Sequence, residues 1–223
     1  MEKIILQNMN IQITIQEAVR QLRMENAEEE DIARLSEMVA EAQRAANPKA
    51  VYAVAPIEAR GETTVTINGV TIDCPLMVKN LQNTNRVFPY VVTCGTEAEQ
   101  WSKSARDFME EYWADGIKLL LLGKAMQALK KQVKQAYAPE SRLSAMNPGS
   151  IKQWPLAQQR VLFQILETVE ADIGVTLTDS CLMLPSKSGS GIFFAGDEQY
   201  ENCSLCPILN CPNRRAPYAG DQE

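Results

Sequence analysis

The chain has 223 residues and a formal net charge of -6, with 45% hydrophobic and 22% charged residues, a composition that suits one globular domain with a short appended segment and excludes a large disordered region. An acidic chain without a lysine or arginine stripe repels phosphate backbones, which excludes nucleic acid as a partner. With no histidine at all, serine–histidine and cysteine–histidine catalysis, histidine-ligated zinc hydrolysis and imidazole proton transfer drop out as well.

Residues 1–10 hold no apolar run of signal-peptide length, and the apolar run at 117–122 is interrupted by Lys118. The expectation is therefore a cytoplasmic protein, neither exported nor membrane-spanning. Thr14 is a natural N-cap for a short helix over 15–24, whose apolar residues Ile15, Ala18, Val19 and Leu22 recur at helical spacing. Ile32, Leu35, Met38, Val39, Ala42 and Ala46 repeat that pattern in a second helix, which Asn47-Pro48 stops. Residues 50–58 and 63–67 are rich in β-branched types, and Asn68-Gly69 before 70–72 is a strong hairpin signal.

A short helix is predicted over 75–82, then a buried central strand over 87–94 closed by Gly95. Residues 97–137 contain no proline and read as one long helix with a kink near Gly116; Phe108, Tyr112, Ile117, Leu120, Leu121, Leu129 and Val133 form its core stripe. Residues 139–153 read as an ordered loop with Asn147-Pro148-Gly149, followed by a helix over 155–170 with proline in its first turn. Strand regions at 175–184 and 191–194 complete the chain. Strands joined by a hairpin rather than by regular βαβ crossovers predict an α+β fold, a mostly antiparallel twisted sheet with flanking helices. The division expected is a main domain over 1–198 and a cysteine-rich segment over 199–223.

Four stretches, in order, resemble the activation (reactivation) domain of cobalamin-dependent methionine synthase, here in a stand-alone form. They are Asn47-Pro48-Lys49-Ala50-Val51-Tyr52 running into Val54-Ala55-Pro56-Ile57; Val91-Val92-Thr93-Cys94-Gly95; Arg142-Leu143-Ser144 leading to Pro148-Gly149 and Trp154-Pro155-Leu156; and the run from Leu184-Pro185-Ser186-Lys187-Ser188-Gly189-Ser190 to Gly191-Ile192-Phe193-Phe194. The third departs from the family's pattern, because Ser150 follows Gly149 where the family has tyrosine, and the segment is longer.

The resemblance implies a crescent-shaped domain that binds S-adenosylmethionine in a shallow surface site. Arg142, Ser144 and Gly149 would come from the arginine loop, and Ser186, Ser188, Ser190 and Gly191 from the serine-glycine strand. It also implies an accessory role in reductive methylation of a cobalamin carried by a partner. That partner would be a cobalamin-binding protein or domain of methionine synthase, or a corrinoid methyltransferase, served by an electron donor. Small residues in such a motif let a ligand or a second strand approach the backbone closely. A sulfonium needs acceptors, and Arg142 suits a ligand carboxylate. No residue of the chain need act as nucleophile.

Near the end, Cys203, Cys206 and Cys211 form a C-x2-C-x4-C array in which Pro207 and Pro212 follow two of the cysteines. Such spacing suits an iron-sulfur cluster or another metal, with Cys181 taken as fourth ligand and Cys74, Cys94 or an outside group as alternatives; free thiols are the competing reading. Cys74, Cys94 and Cys181 lie in or beside apolar strands, where core filling is the plainer role. Arg214-Arg215 either docks a partner or solubilises the segment. Two further function classes stand beside the accessory role: a docking module for a corrinoid protein that needs no S-adenosylmethionine, and an iron-sulfur electron-transfer protein.

Overall fold

The computed structural model describes residues 1–196, 200–206, 208–211, 214 and 216–220. Pro207, Pro212 and Arg215 lie outside these described residues. Among the described residues, seven strands form an antiparallel sheet in the order β4-β3-β2-β5-β9-β6, with β1 also pairing with β2. The strands are β1 (Glu2–Leu6), β2 (Lys49–Arg60), β3 (Thr64–Ile67), β4 (Val70–Asp73), β5 (Arg86–Thr93), β6 (Arg142–Met146) and β9 (Ser188–Gly196). A separate hairpin joins β7 (Thr176–Leu177) to β8 (Met183–Leu184). The α+β class and the mostly antiparallel sheet expected from sequence are what the chain adopts.

The helices follow from caps and stripes. Thr14 caps α1 (Ile15–Leu22) in a reciprocal capping box with Glu17, and α2 (Glu29–Ala45) stops before Asn47-Pro48. Asn68 and Gly69 both take positive φ, 51° and 71°, in the two-residue turn between β3 and β4. After α3 (Pro75–Asn80) and β5, the long helix expected over 97–137 is instead two, α4 (Thr96–Ser102) and α5 (Phe108–Tyr137). Asp107 leaves helical geometry and its carboxylate accepts the Glu110 N–H at 2.9 Å, starting a new helix. α5 runs unbroken through Gly116, which lets α1 come close, since a Cβ there would stand 2.6 Å from Leu22 Cδ2. Phe108 and Tyr112 are consequently exposed, 79% and 54%, while Trp113, Ile117 and Leu121 carry the buried stripe.

Residues 139–153 hold an edge strand, β6, that the sequence reading took for loop, and 155–170 breaks into a 3-10 turn (Leu156–Gln158), α6 (Gln159–Leu166) and α7 (Val169–Ile173). One sheet face packs on α5 through Tyr52, Phe88, Tyr90 and Phe193. The other packs on α3, α6 and α7, and there Tyr200 and Leu205 also sit, which places these two residues against the sheet. Glu201 forms a parallel bridge with Ala145 on β6, which covers that strand's free edge.

A third layer joins α1, α2, α4 and α5. There Arg34 donates to both oxygens of buried Glu110, at 2.8 and 3.3 Å, and the Arg106 N–H donates at 3.0 Å. The Arg34 bonds above all hold the Glu110 carboxyl below its ordinary value of 4.5. A depressed folded pKa gives stability that is complete above the unfolded value and lost as pH falls through the folded one. Glu110→Gln is expected to cost about 2 kcal/mol at neutral pH and to flatten the loss of stability below pH 4.5, read as urea midpoints against pH. Parallel acid profiles for the two proteins would refute this.

Candidate functional site

Antiparallel register decides which of the predicted residues meet. β9 lies between β5 and β6, with Ser188 opposite Thr93, Gly191 opposite Tyr90, Ile192 opposite Met146 and Gly196 opposite Arg142. The turn after β6 therefore stands beside Ser190 and Gly191. Asn147 fastens it, donating to the Ser190 carbonyl and the Tyr90 hydroxyl at 2.7 Å each, while its own oxygen accepts from Asn202 at 2.8 Å. Ser190 Oγ donates to Gln159 Oε1 at 2.9 Å, and Gln159 Nε2 donates to the Cys181 carbonyl at 2.9 Å. This buried polar chain ties the arginine loop, the serine-glycine strand, α6 and the C-terminal segment together, and leaves Ser190 engaged within the protein.

The other predicted residues are spread out. Ser144 is buried, and its hydroxyl accepts from the Tyr200 N–H at 2.8 Å. Gly149 has φ 80° in a turn whose N–H donates to the Trp154 carbonyl at 2.7 Å. Ser188 Oγ bonds to the Thr93 hydroxyl at 2.9 Å and the Pro185 carbonyl at 2.7 Å, and Ser186 is exposed. Arg142 is exposed at the far end of the same strand pair, roughly 26 Å along β9 from Ser188 at about 3.3 Å per residue. The two motifs are adjacent, as expected, but Arg142 and the Ser186–Ser188 end do not share a pocket, because the register brings Met146 rather than Arg142 to the glycine step.

At the Arg142 end the sheet opens on a cleft of about 1100 Å³, bounded by α3, the loop to β5, the end of β9 and residues 200–205. Sites for small ligands commonly span about 300–1,000 Å³, so the cleft has room for one. None of the seven predicted binding residues lines it, although Ser141 and Gly196, the chain neighbour and register partner of Arg142, do. Its walls carry two cations, Lys79 and Arg86; the amides of Asn80, Gln82, Asn83 and Asn85; the carboxylate of Glu201; and apolar Phe194 and Leu205.

Several of these groups are already oriented. Arg86 donates to the Tyr137 carbonyl at 2.8 Å and lies over the rings of Phe88 and Tyr137, 5.9 and 5.7 Å from their centroids. The loop is fastened by Thr84 Oγ1 on the Ala195 carbonyl at 3.0 Å, and by Arg60 on the Leu81 and Thr84 carbonyls. Tyr200 also lines the cleft, and its hydroxyl is buried without a partner among the described residues. Burial, then the neighbouring Cys74 and Glu201, push that phenol upward, so it stays a neutral donor. Sequence reasoning missed Arg86, Lys79 and Tyr200; the signal was the amide-rich run 80–86 between a helix and a buried strand.

Among the described residues the cysteines do not gather into the centre that their spacing suggested, and no three histidine, cysteine or acidic side chains group to hold a metal ion. Cys203, Cys206 and Cys211 are organised instead by Arg214, whose guanidinium donates to the Cys203 and Cys206 carbonyls at 2.6 and 2.7 Å and whose N–H donates to the Cys211 carbonyl at 3.1 Å. Cys181 belongs to a different turn, buried beside Gln159.

Fold and cleft together define an α+β domain with a polar, cation-bearing cleft at one end of an antiparallel sheet. No protein-family model and no curated protein matches the chain. Among solved structures it is similar to the MetH reactivation domain bound to AdoHcy, with a TM-score of 0.65 and 16% identity over 90% of this chain and 81% of that one. The fold is thus that of the reactivation domain. Among the described residues no helix is long and apolar enough to cross a membrane.

Proposed function

We propose that this protein binds an S-adenosyl ligand in the cleft at the Arg142 end of the sheet and supports reductive methylation of a cobalamin or other corrinoid held by another polypeptide. The observation that carries this reading is the likeness of fold, over most of both chains, to a domain solved with S-adenosylhomocysteine. The cleft's chemistry suits that ligand class. Lys79 and Arg86 match a carboxylate, the amides of Asn80, Asn83 and Asn85 match a purine and a ribose, and Phe194 offers a ring face. Glu201 and backbone carbonyls suit a sulfonium, and the Tyr200 hydroxyl needs an acceptor.

The partner's corrinoid supplies the nucleophile when present, and a separate donor supplies the electron. The chain's own residues bind the ligand, orient it and shield it from water. Calorimetric titration of the full chain with S-adenosylhomocysteine tests the reading. Saturable one-site binding is expected, and no binding up to about 1 mM would overturn it. A second reading, a docking module for a corrinoid protein that needs no such ligand, is favoured by the exposed aromatics Phe108 and Tyr112 on one face of α5. The same titration separates the two.

A further inference from the structure

The long helix α5 outruns the sheet. Its later turns pack on the sheet through Ala125, Leu129 and Val133, whereas its first turns pack on α1, α2 and α4 through Trp113, Ala114 and Ile117. On the outer side of those first turns Phe108, Met109 and Tyr112 are exposed, 79%, 53% and 54%. Large aromatic side chains carry about 150–250 Å² each, so the three together leave roughly 350 Å² of apolar surface open. Tyr137, whose carbonyl holds Arg86 of the cleft, ends the same helix, so patch and cleft lie roughly 40 Å apart along α5 at about 1.5 Å per residue.

The rim of the patch is acidic. Glu111 and Asp115 share the helix face of Phe108 and Tyr112, at three- and four-residue spacing. The bond from Arg34 to Glu110 brings the start of α2 beside the first turn of α5, and there Glu28, Glu29, Glu30 and Asp31 are all exposed. Nearby cations are engaged: Arg34 with Glu37, Glu41 and Glu110, Arg106 with Glu110, and Lys187 with Asp115. Lys103, exposed before the Asp107 cap, offsets only part of this charge. Acidic first turns complement helix dipoles, but that does not explain aromatic side chains left open beside them.

We propose that this outer face of α5 docks a basic amphipathic helix of another polypeptide. The helix's apolar residues, at three- and four-residue spacing, cover Phe108, Met109 and Tyr112, and its lysines and arginines meet Glu111 and the acidic start of α2. Charge argues against a second copy, because a twofold contact would set Glu111 and Asp115 beside their own counterparts. Area argues the same way: roughly 350 Å² is less than half of the about 800 Å² per partner in a stable interface. It suits a weak, readily reversed contact with a short segment. The same acidity turns the face away from anionic membrane surfaces. Because the patch lies far from the cleft, the inference stands whichever reading of the cleft holds.

The experiment titrates the full chain into a fluorescein-labelled synthetic helix of leucine and lysine, about 18 residues long with the leucines on one face, and follows anisotropy. Saturable one-to-one binding with a Kd of about 10–100 µM is expected at low salt, weakening about tenfold in about 0.5 M sodium chloride. Phe108→Ala with Tyr112→Ala should weaken it at least about tenfold, and Glu111→Lys about three- to tenfold. Ile208→Ala with Leu209→Ala, equally exposed but elsewhere, should stay within about twofold of the wild type. All these side chains are exposed, so circular dichroism should show the fold intact in each variant. A peptide of the same composition with its leucines scrambled should bind at least about tenfold more weakly. No binding up to about 1 mM, equal binding of the scrambled peptide, or no loss in the Phe108→Ala, Tyr112→Ala variant overturns the proposal. A concentration-dependent dimer in sedimentation that this variant abolishes overturns it in favour of a second copy. Binding to neutral phosphatidylcholine vesicles that the variant abolishes overturns it in favour of a membrane.

Discussion

Gly191→Ala is expected to unfold about 4–12 °C below the wild type, a loss of about 2–3 kcal/mol, while Gly189→Ala two residues away stays within about 1 kcal/mol. A Cβ at 191 would stand 2.5 Å from the Met146 carbonyl oxygen, 2.5 Å from Asn147 Nδ2 and 2.8 Å from the Tyr90 hydroxyl. The first is backbone of the neighbouring strand and can yield only by opening the β6–β9 ladder. The other two are held in the polar chain that joins Asn147, Tyr90 and the Ser190 carbonyl, so their displacement leaves buried groups unpaired. At Gly189 the nearest atom is the flexible end of Met126, at 3.3 Å. The reduced entropy of the unfolded alanine chain offsets about 0.4–1 kcal/mol in both variants. Thermal unfolding followed by circular dichroism reads the difference, and equal midpoints for the two would refute the close-approach account.

The same residues show how far the sequence carries. Local signals were readable where one short stretch contains the whole cause: Thr14 with Glu17 at the start of α1, Asn68-Gly69 between β3 and β4, and the apolar run of β5. The break between α4 and α5 was missed because neither proline nor glycine marks it; it rests on the Asp107 cap, a pattern that a helical stripe drawn through Phe108 and Tyr112 obscures. β6 was hidden by Pro139 before it and Asn147-Pro148 after it, and its strand character comes from pairing with β9, a partner about 50 residues away that no local window contains. The resemblance named two segments that lie side by side in the sheet, but side-chain roles depend on register, and register put Ser144 and Ser190 into buried hydrogen bonds. The cleft was illegible for a plainer reason: its walls come from residues 76–86, 141, 194–196 and 200–205, which meet only in the folded chain.

Arg86→Glu is expected to weaken S-adenosylhomocysteine about 100-fold while leaving adenosine binding within about twofold of the wild type. A hydrogen bond to a charged group contributes about 1.5–3 kcal/mol, and reversing the charge replaces attraction by repulsion at the carboxylate. Arg86 is suited to that role because its stem is already placed over Phe88 and Tyr137 and one of its terminal nitrogens is anchored on the Tyr137 carbonyl, so little ordering remains to be done on binding. Arg86→Lys keeps the charge and loses the planar fork, and should fall about tenfold rather than a hundredfold. Lys79, on the same wall, explains why binding is weakened rather than abolished. Adenosine lacks the carboxylate, so the comparison separates charge recognition from damage to the loop. If adenosine affinity falls in step, Arg86 acts only by bracing Tyr137 against the start of β5, and the carboxylate must lie elsewhere in the cleft, with Lys79.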